Sequence, residues 1–462
     1  MNPPETSNAE FNRRDFLKGG SFATLMAMMG GVPLFADPVP EARPETKAAD
    51  GPKIKCAVIG LGLWGREILN QLGRFPQAEV AALCDNYPAM LRRSASKAPG
   101  AAQAADYTAV LANKDIGAVV VATPSHLHRE IAIAALAAGK HVYCEAPLAT
   151  TVEDAKAIAL AAKDAVGKNF QPGLQMRSHP QRHFLLPFIR SGALGKSVMA
   201  RAQWHKKTSW RAPGATSERE KQVNWRLNRE SSGGLIGEIG IHAIDQAAWF
   251  LNSRPKAVTG FGSTVMWRDD GRDVPDTVQA VIEYAGGVRM NYDATLAASF
   301  DTEFELLFGS DATVLMREDN LKKEGAWMFK EADSALGGWE VYARKENFFK
   351  ETGIALVAGA SLQKNMTDKG AENAANPFPP LYYALDSFLG NCAELDAAVE
   401  DFRSLYANAD KQQLAESLAT LKLRNAANYR DGFAATALAI KANEAVLTGK
   451  RVELKPEMFE LT

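Results

Sequence analysis

Residues 53–65, KIKCAVIGLGLWG, decide the fold of this chain. Their first part is an apolar, β-branched run closed by a glycine, which predicts a buried strand. Gly60, Gly62 and Gly65 follow in the spacing Gly-x-Gly-x-x-Gly and lead into an amphipathic helix. In such a unit the first glycine permits a tight turn, the second lets backbone approach a pyrophosphate, and the third lets the helix pack on the strand. The stretch predicts a dinucleotide site at a helix N-terminus.

An acidic residue stands where a nucleotide ribose would need one. Asp85 lies twenty residues beyond Gly65, at the end of a second predicted strand, residues 78–84. A carboxylate there accepts hydrogen bonds from both ribose hydroxyls and repels a 2′-phosphate. Asn86 and Tyr87 follow it, with no arginine to bind such a phosphate, so the pattern favours NAD over NADP. The alternative is that Asp85 is only a turn residue.

Short apolar strands and helices alternate up to residue 175. This alternation predicts an α/β Rossmann domain, a doubly wound parallel sheet, over residues 52–175. The strands that follow are linked by short glycine turns such as residues 285–287, which make antiparallel neighbours. We therefore expect a second, α+β domain over residues 176–462, built on a large, mostly antiparallel open sheet. Residues 366–380 are expected to form a mobile loop, either a lid or a partner contact.

The overall composition is that of an ordinary soluble globular protein. The chain has 462 residues, 46% of them hydrophobic, and a formal net charge of −1 from 53 basic and 54 acidic side chains. Near-zero charge argues against nucleic acid as the main partner. Four cysteines cannot form a disulfide scaffold in a chain of this length. Cys56, Cys84 and Cys144 fall in predicted strands, which indicates buried packing residues and not redox or metal groups.

The first 51 residues differ from the rest. Arg13-Arg14-Asp15-Phe16-Leu17-Lys18 precedes a glycine-containing apolar stretch, residues 21–36. This pattern resembles a bacterial twin-arginine export signal, which implies residues 1–36 as the signal peptide and 37–51 as a linker. The alternative, a membrane anchor, needs more than about 16 residues to span roughly 30 Å, so no stable anchor is expected.

This resemblance has a consequence for the cofactor. It implies a periplasmic or otherwise exported protein that folds before it contacts the twin-arginine machinery. Outside the cytoplasm no soluble dinucleotide pool is available. We therefore expect any nucleotide to be held tightly and regenerated within the catalytic cycle.

Two further segments resemble a known family. Residues 122–128, ATPSHLH, and 139–149, GKHVYCEAPLA, are similar to the two signatures of the glucose–fructose oxidoreductase / inositol dehydrogenase / MocA (Gfo/Idh/MocA) oxidoreductases. The likeness continues through residues 173–175 and 233–250 to Gly432 and Asn443. It implies an NAD-dependent oxidoreductase for a sugar, polyol or glycoside, assembled as a homo-oligomer. The implied cofactor-binding residues are Gly60, Leu61, Gly62, Leu63, Trp64, Gly65, Asp85, Thr123, Pro124, Ser125, His128, Glu145 and Gln175.

The resemblance breaks at Ala146. Family members usually carry a lysine there, in a Glu-Lys-Pro motif whose cation lowers the pKa of the proton-transfer partner. Alanine cannot do this, so either another cation substitutes, or the chemistry differs, or hydride transfer has been lost. Lys206 is the most attractive substitute in the sequence.

The stretch 231–250 carries the candidate chemistry. In a regular helix Glu238, His242 and Asp245 share one face, and the other large side chains there are apolar. Three ionisable groups on such a helix are costly unless they line a polar site, although they could also form a self-satisfied buried cluster. The matching family helix carries an Asp and a His four apart. We therefore predict His242 as general base, with Glu238 or Asp245 orienting its other nitrogen.

Weaker candidates surround this helix in sequence. Trp with Arg, Lys and His suits sugar binding, although it equally suits a surface loop; the candidates for substrate contact are Arg177, His179, His205, Lys206, Trp210 and Arg211. His126 and His128 lie two apart with no nearby cysteine or carboxylate, an incomplete metal site, so no metal is expected. Three functions remain open: an exported NAD-dependent oxidoreductase, a redox-neutral NAD-dependent glycoside hydrolase or lyase, and a nucleotide-binding scaffold protein.

Overall fold

The computed structural model describes residues 53–317, 325–332, 334, 378–406 and 408–461, together with the backbone of 345–348 and 351–355. The predicted signal and linker, and nearly all of the loop at 366–380, lie outside these residues. Two sheets organise the described chain, one of six strands and one of ten.

The first sheet is the predicted doubly wound parallel sheet. Its strand order is β3-β2-β1-β4-β5-β6, with every neighbouring pair parallel. The order reverses between β1 and β4, and such a switch point opens a crevice at the carboxyl ends of the strands. The strands are β1 (Ile54–Ile59), β2 (Ala78–Cys84), β3 (Ala102–Ala104), β4 (Ala118–Val121), β5 (His141–Cys144) and β6 (Phe170–Pro172).

Five helices accompany these strands: α1 (Leu63–Leu72), α2 (Pro88–Ala95), α3 (Tyr107–Ala112), α4 (His128–Ala137) and α5 (Val152–Asp164). The Thr151 side chain caps α5 by accepting a hydrogen bond from the Asp154 amide at 3.1 Å. Cys56, Cys84 and Cys144 are buried, which confirms their predicted packing role. Burial raises the pKa of Cys56 and Cys84 to about 12, so both thiols stay protonated near neutral pH.

The second sheet is mostly antiparallel, as predicted. Its order is β14-β15-β13-β12-β11-β7-β10-β9-β8-β16, and among the described strands the pair β7·β10 is parallel. Gly286 (φ 80°) and Gly287 (φ 86°) form the left-handed turn that joins β9 to β10. The strands are β7 (Ser197–His205), β8 (Pro255–Ser263), β9 (Thr277–Tyr284), β10 (Arg289–Thr295), β11 (Glu303–Gly309), β12 (Ala312–Arg317), β13 (Gly325–Lys330), β14 (Lys345–Phe348), β15 (Glu351–Ala355) and β16 (Val452–Glu453).

Six more helices complete the described chain: α6 (Pro180–Arg190), α7 (Ser217–Val223), α8 (Ile241–Leu251), α9 (Pro380–Leu405), α10 (Lys411–Leu418) and α11 (Tyr429–Thr448). Side chains of α6, α8 and α11 form one hydrophobic core with one face of the second sheet. This core holds α6, α8 and α11 as a helix layer against the sheet.

The last helices tie the two halves together. Leu385, Phe388 and Leu389 of α9 pack into the core of the first sheet, although they lie far beyond residue 175 in sequence. On α11, Phe433 packs with the first sheet and Leu438 with the second. None of the helices that the structure describes combines the length and apolar character that crossing a bilayer requires.

Candidate functional site

The glycine turn after β1 has the geometry of a phosphate cradle. Gly60 adopts φ +94°, a left-handed conformation that favours glycine. A Cβ on Gly65 would lie 1.9 Å from the Gly60 carbonyl oxygen, so only glycine allows α1 to pack this closely. A Cβ on Gly62 would meet nothing within 4 Å, which leaves space where a pyrophosphate would approach. Leu63 and Trp64 begin α1 and are exposed at the mouth of the crevice.

Asp85 is held at the end of β2 by two backbone amides. Leu61 N donates to Oδ2 and Tyr87 N donates to Oδ1, both at 2.8 Å. Each carboxylate oxygen retains a further lone pair for a ribose hydroxyl. The Arg219 guanidinium of α7 lies 4.2 Å from the centre of the Tyr87 ring, so the second half of the chain reaches over this end of the crevice.

Two loops leave the carboxyl ends of β4 and β5 and meet at His128. Its buried ring lies between the carbonyl oxygens of Thr123 and Pro147, each at 2.9 Å from a ring nitrogen. Burial lowers the pKa of His128 to about 4, against the influence of both carbonyls. His128 thus joins the two loops. In the loop after β4, Pro124 directly precedes the short helical turn Ser125–Leu127.

Buried polar atoms at this edge lack partners among the described residues. They include Thr123 Oγ1 at the end of β4 and Glu145 Oε1 at the end of β5. Unpaired buried polar atoms are costly, so a polar group that fills the crevice would stabilise them. Together with the open space at Gly62, they fit a dinucleotide. Gln175 lies after β6, in the turn Gln175–Ser178.

Glu145 is a buried acid at the end of β5. Burial raises its pKa to about 7, while the Trp64 indole and the charge of Arg226 oppose the shift. A Cβ on Gly173 would lie 2.5 Å from Glu145 Oε2, so that glycine gives the carboxylate its place. The next residue, Ala146, packs beside Leu174 and Ile241, the residue before His242.

The segment before α8 forms a π-helical turn, Ile236–Gly240, where the sequence predicted regular helix. Glu238 lies on this turn, and its side chain is 2% exposed. Ser125 Oγ donates to Glu238 Oε2 at 3.0 Å, and the Gly233 amide donates to Oε1 at 3.1 Å. Burial raises the pKa of Glu238, against the charge of Arg226. The bond from Ser125 brings the predicted catalytic segment onto the β4 loop.

His242 lies one turn further along, on α8. Neither ring nitrogen of His242 hydrogen-bonds another described residue. Neither Glu238 nor Asp245 therefore orients the ring through a hydrogen bond. Burial lowers the pKa of His242, while the Asp245 charge opposes the shift. Asp245 instead accepts two hydrogen bonds from Arg177, both at 2.8 Å. Glu238 is thus engaged by Ser125 and Asp245 by Arg177, and neither carboxylate hydrogen-bonds the imidazole.

The six candidates for substrate contact occupy three places. Arg177 bonds both Asp245 and Asp431, so its guanidinium links buried elements. His179 is 4% exposed, and burial lowers its pKa to about 3. His205 is the last residue of β7, and its Nε2 lies 2.6 Å from Oδ2 of Asp293 on β10. Lys206, Trp210 and Arg211 follow β7; Arg211 pairs with Glu220, and Lys206 forms no ion pair with a described residue.

Sequence reasoning did not single out Arg226. Its Nε lies 3.9 Å from Glu238 Oε2, and its guanidinium lies 4.6 Å and 5.9 Å from the ring centres of Trp225 and Trp210. The only sequence signal was another Trp-Arg pair in the same loop as Trp210 and Arg211. No periodicity connects residue 226 with residue 145 or 238, so the fold alone brings them together.

The described residues contain no group of three or more His, Cys, Asp or Glu side chains arranged to hold a metal ion. His126 and His128 point to different partners: His126 Nδ1 lies 3.2 Å from the Ser231 carbonyl oxygen, while His128 bridges Thr123 and Pro147. The assignment of each residue to catalysis, cofactor or substrate remains a prediction, now with a defined position.

Two models of one protein family match the chain. Residues 54–172 match the NAD-binding Rossmann fold of the GFO/IDH/MocA oxidoreductase family, and residues 187–315 match the GFO/IDH/MocA C-terminal domain. The two matches cover both sides of the crevice, including the glycine turn, the β4 and β5 loops and α8.

Individual relatives are more distant. Levoglucosan dehydrogenase of Pseudarthrobacter phenanthrenivorans is 32% identical over 212 residues, which is 41% of this chain and 52% of that protein. 1,5-Anhydro-D-fructose reductase of Ensifer adhaerens is 30% identical over 210 residues, 45% of this chain and 59% of that protein. The chain thus spans little more than half the length of these relatives. A structure of levoglucosan dehydrogenase with NADH has a TM-score of 0.63 at 20% identity, covering 87% of this chain and 99% of that one, and shows a shared fold.

Proposed function

Because the chain belongs to the Gfo/Idh/MocA oxidoreductase family, we propose that it is an exported NAD-dependent oxidoreductase. It acts on a hydroxyl of a sugar, polyol or glycoside and recycles a tightly held cofactor. The observation that carries the proposal is the Ser125–Glu238 hydrogen bond of 3.0 Å. This bond places the predicted catalytic segment of the second half directly against the loop that leaves β4 of the Rossmann half.

The residues around the crevice divide the work of holding the cofactor. The glycine turn and the start of α1 take the pyrophosphate, and Asp85 takes the ribose hydroxyls. Thr123, Ser125 and Glu145 stand at the other end, beside α8. Bound NAD supplies the hydride acceptor at this end.

His242 is the general base of the proposed reaction. Burial lowers its pKa, so the ring is neutral at pH 7 and can accept the proton of a substrate hydroxyl. Because neither nitrogen is engaged by a described residue, both remain available to substrate. The substrate class is supported by the names of the relatives, which act on levoglucosan and 1,5-anhydro-D-fructose.

NAD is proposed over NADP, and tight binding over exchange. The two amides on Asp85 hold its charge where a 2′-phosphate would lie. Arg219 over Tyr87, and the bonds of Ser125 and of His126 to the second half, cross the crevice at both ends. A cofactor under these crossings leaves only when they open, which favours a slow release.

The test combines identification of nucleotide with turnover. Purified mature protein is denatured, and any released nucleotide is identified; native protein is then incubated with sugars, polyols and aryl glycosides that include levoglucosan. Net NADH formation, or turnover only with a second carbonyl compound, supports the oxidoreductase. Replacing His242 by Ala should lower kcat by about 100-fold or more. Full activity of that variant would remove His242 from the mechanism, and the absence of tightly held nucleotide would refute cofactor recycling.

One observation favours a second function, a redox-neutral glycoside hydrolase or lyase. Burial raises the pKa of Glu145 to about 7, so this acid can hold or release a proton near neutral pH beside the uncharged Ala146. In that reaction, transient oxidation of a ring hydroxyl acidifies the neighbouring C–H. Elimination then releases the glycosidic substituent, water adds, and the ketone is reduced again. Aglycone release without net NADH would identify this function.

We also propose that the protein is a homo-oligomer, through the face of the second sheet that points away from the helices. Val281, Leu306 and Leu315 lie half-buried on that face. Apolar side chains in such a position favour a protein contact. Light scattering of the purified protein tests this: the mass of a single chain at micromolar concentration would contradict it.

A further inference from the structure

Arg226 is held in place by its surroundings. It lies in a short helical turn, Trp225–Leu227, within the connection between β7 and the π turn. Ser231 Oγ donates to the Trp225 carbonyl at 2.7 Å, and the Asp273 amide donates to the Leu227 carbonyl at 3.0 Å. The guanidinium contacts the rings of Trp225 and Trp210. The turn and both rings therefore fix where this cation stands.

Two buried acids face this cation from different halves of the chain. Glu238 Oε2 lies 3.9 Å from Arg226 Nε, and Glu145 at the end of β5 also feels its charge. No other basic side chain forms an ion pair with either acid among the residues that the structure describes. Ala146 supplies no charge, and Lys206 pairs with neither acid. Within the described part of the chain, Arg226 is thus the basic side chain that faces these two acids.

We propose that Arg226 sets the redox preference of the bound cofactor, by favouring the uncharged reduced nicotinamide over the positively charged oxidised one. This inference rests on the proposed function, since it needs a dinucleotide in the crevice. The reason is electrostatic. A fixed positive charge at this edge repels the oxidised ring and leaves the neutral ring unaffected, whereas Glu145 and Glu238 act in the opposite direction. The side chain of Arg226 is 45% exposed, so solvent weakens the effect without removing it.

The experiment measures two dissociation constants, for NAD⁺ and for NADH, by fluorescence titration of the mature full-length protein. The quantity of interest is their ratio, Kd(NAD⁺)/Kd(NADH). In Arg226→Gln the ratio should fall by roughly three- to tenfold, because the positive charge that disfavours NAD⁺ is removed. In Glu238→Gln the ratio should rise, because a negative charge is removed. If nucleotide copurifies, the reduction potential of the bound cofactor gives the same ratio.

Two control variants separate charge from structure. Arg226→Lys keeps the charge and should keep the ratio within about twofold. Arg229→Gln removes an arginine three residues along, which pairs with Asp273 and not with the two acids, and should also keep the ratio. A loss of affinity that is equal for both cofactor forms in Arg226→Gln would overturn the proposal, because a merely structural residue acts equally on both.

The outcomes distinguish this inference from the proposed function. Wild-type protein that binds neither nucleotide form refutes the proposed function and this inference with it. Wild-type protein that binds both forms, with a ratio unmoved in Arg226→Gln and Glu238→Gln, refutes the inference alone. If Arg226→Gln does not fold, Arg226→Met, whose side chain can still pack on Trp225, takes its place: a ratio below that of wild type supports the inference, and an unchanged ratio refutes it.

Discussion

At the residue scale, the three glycines of the turn after β1 have different surroundings, in line with the different roles that the motif gives them. A Cβ at Gly60 would meet the backbone of Ala122 and Thr123 at 2.6–2.8 Å, one at Gly65 would meet the Gly60 carbonyl, and one at Gly62 would meet nothing within 4 Å. Two of these glycines are therefore required by the protein itself, and the third only by a ligand.

This difference predicts that one of two matched substitutions affects stability and the other affects NAD binding. Gly65→Ala should lower the free energy of unfolding by about 3 kcal/mol, because α1 must move away from β1. Gly62→Ala should leave stability unchanged within about 0.5 kcal/mol and weaken NAD binding by tenfold or more, roughly. Urea unfolding and fluorescence titration measure the two quantities. Normal NAD affinity in Gly62→Ala would show that the phosphates lie elsewhere.

Glu145 makes stability depend on pH. Burial raises its pKa in the folded protein from 4.5 to about 7. Between these values the folded protein keeps a proton that the unfolded chain has released, so the free energy of unfolding falls as the pH rises through this window. Glu145→Gln lacks this titrating group. The free energy of unfolding of the variant minus that of wild type should therefore increase by about 3 kcal/mol from pH 4.5 to pH 8, measured in nucleotide-free protein. A difference that is flat with pH would contradict the burial of a titrating carboxyl.

Sequence reasoning located the residues whose position depends on local structure. The glycines and Asp85 are set by the strand before them and the helix after them, so their spacing was enough. The partners of Asp245 were not predictable, because Arg177 and Asp431 reach it from other elements. The same holds for Arg226, which meets Glu145 and Glu238 only through the packing of the two halves.

At the element scale, the π turn Ile236–Gly240 decides how the candidate site is presented. Glu238 lies within this turn and His242 lies on the α-helix that follows it, so the turn sets how the two side chains are presented. Glu238 turns toward Ser125, while His242 stays free. Gly240 permits this course, because a Cβ there would lie 2.9 Å from the Tyr292 ring.

Two glycine substitutions on this turn should behave differently. Gly240→Ala should cost about 1–3 kcal/mol of stability and lower kcat by about 10- to 100-fold, since the Tyr292 ring displaces the start of α8 and with it His242. Gly237→Ala places its Cβ in open space and should leave stability equal or higher by up to about 1 kcal/mol. Calorimetric melting and steady-state kinetics compare the pair. Equal kinetics for the two variants would show that the turn does not position His242.

The hydrophobic periodicity of the sequence predicted the types of the helices and strands and most of their boundaries. The strand predicted at 78–84 has the observed bounds, and the glycine turn predicted at 285–287 joins β9 to β10. The pairing of strands was harder to predict. β7 lies between β10 and β11 and runs parallel to β10, and no short turn connects it to either strand. Local patterns specify hairpins such as β9–β10, but not pairings between distant strands.

At the scale of the whole molecule, Arg177 joins parts of the chain that are far apart in sequence. It follows β6 of the first sheet and bonds Asp245 on α8 and Asp431 on α11. All three side chains are largely withdrawn from solvent. Removing the Arg177 cation leaves two largely buried carboxylates without a counter-charge. This loss of stability is larger than the net contribution of the ion pairs.

We therefore expect Arg177→Met to lower the free energy of unfolding by about 3–5 kcal/mol. The triple variant Arg177→Met, Asp245→Asn, Asp431→Asn should recover most of that loss, because no buried charge remains. Arg451→Met removes an exposed arginine that pairs with Glu283 and Glu453, and should leave the urea midpoint unchanged. If Arg177→Met and Arg451→Met have equal midpoints, the network contributes no stability.

The proposed export depends on the arginine pair near the N-terminus, Arg13 and Arg14. Replacing Arg13 and Arg14 by Lys together should leave the full-length precursor in the cytoplasm, whereas Arg43→Lys in the linker should not affect export. Cell fractionation, with N-terminal sequencing of the exported form, measures this. Normal export of the double variant, or a mature N-terminus that lies far from residue 37, would refute the predicted signal.

The packing of α9 on the first sheet determines when that sheet can be completed during synthesis. Cys144 ends β5, but Phe388, which packs against the Tyr143 ring, is made much later. At about 5–20 residues per second, the interval between Cys144 and Pro380 is on the order of ten to fifty seconds. Throughout it, Val58 and Leu83 have no helix α9 to cover them. A fragment that stops after residue 175 should therefore aggregate and not retain nucleotide, whereas a chain that includes α9 can cover this face of the sheet.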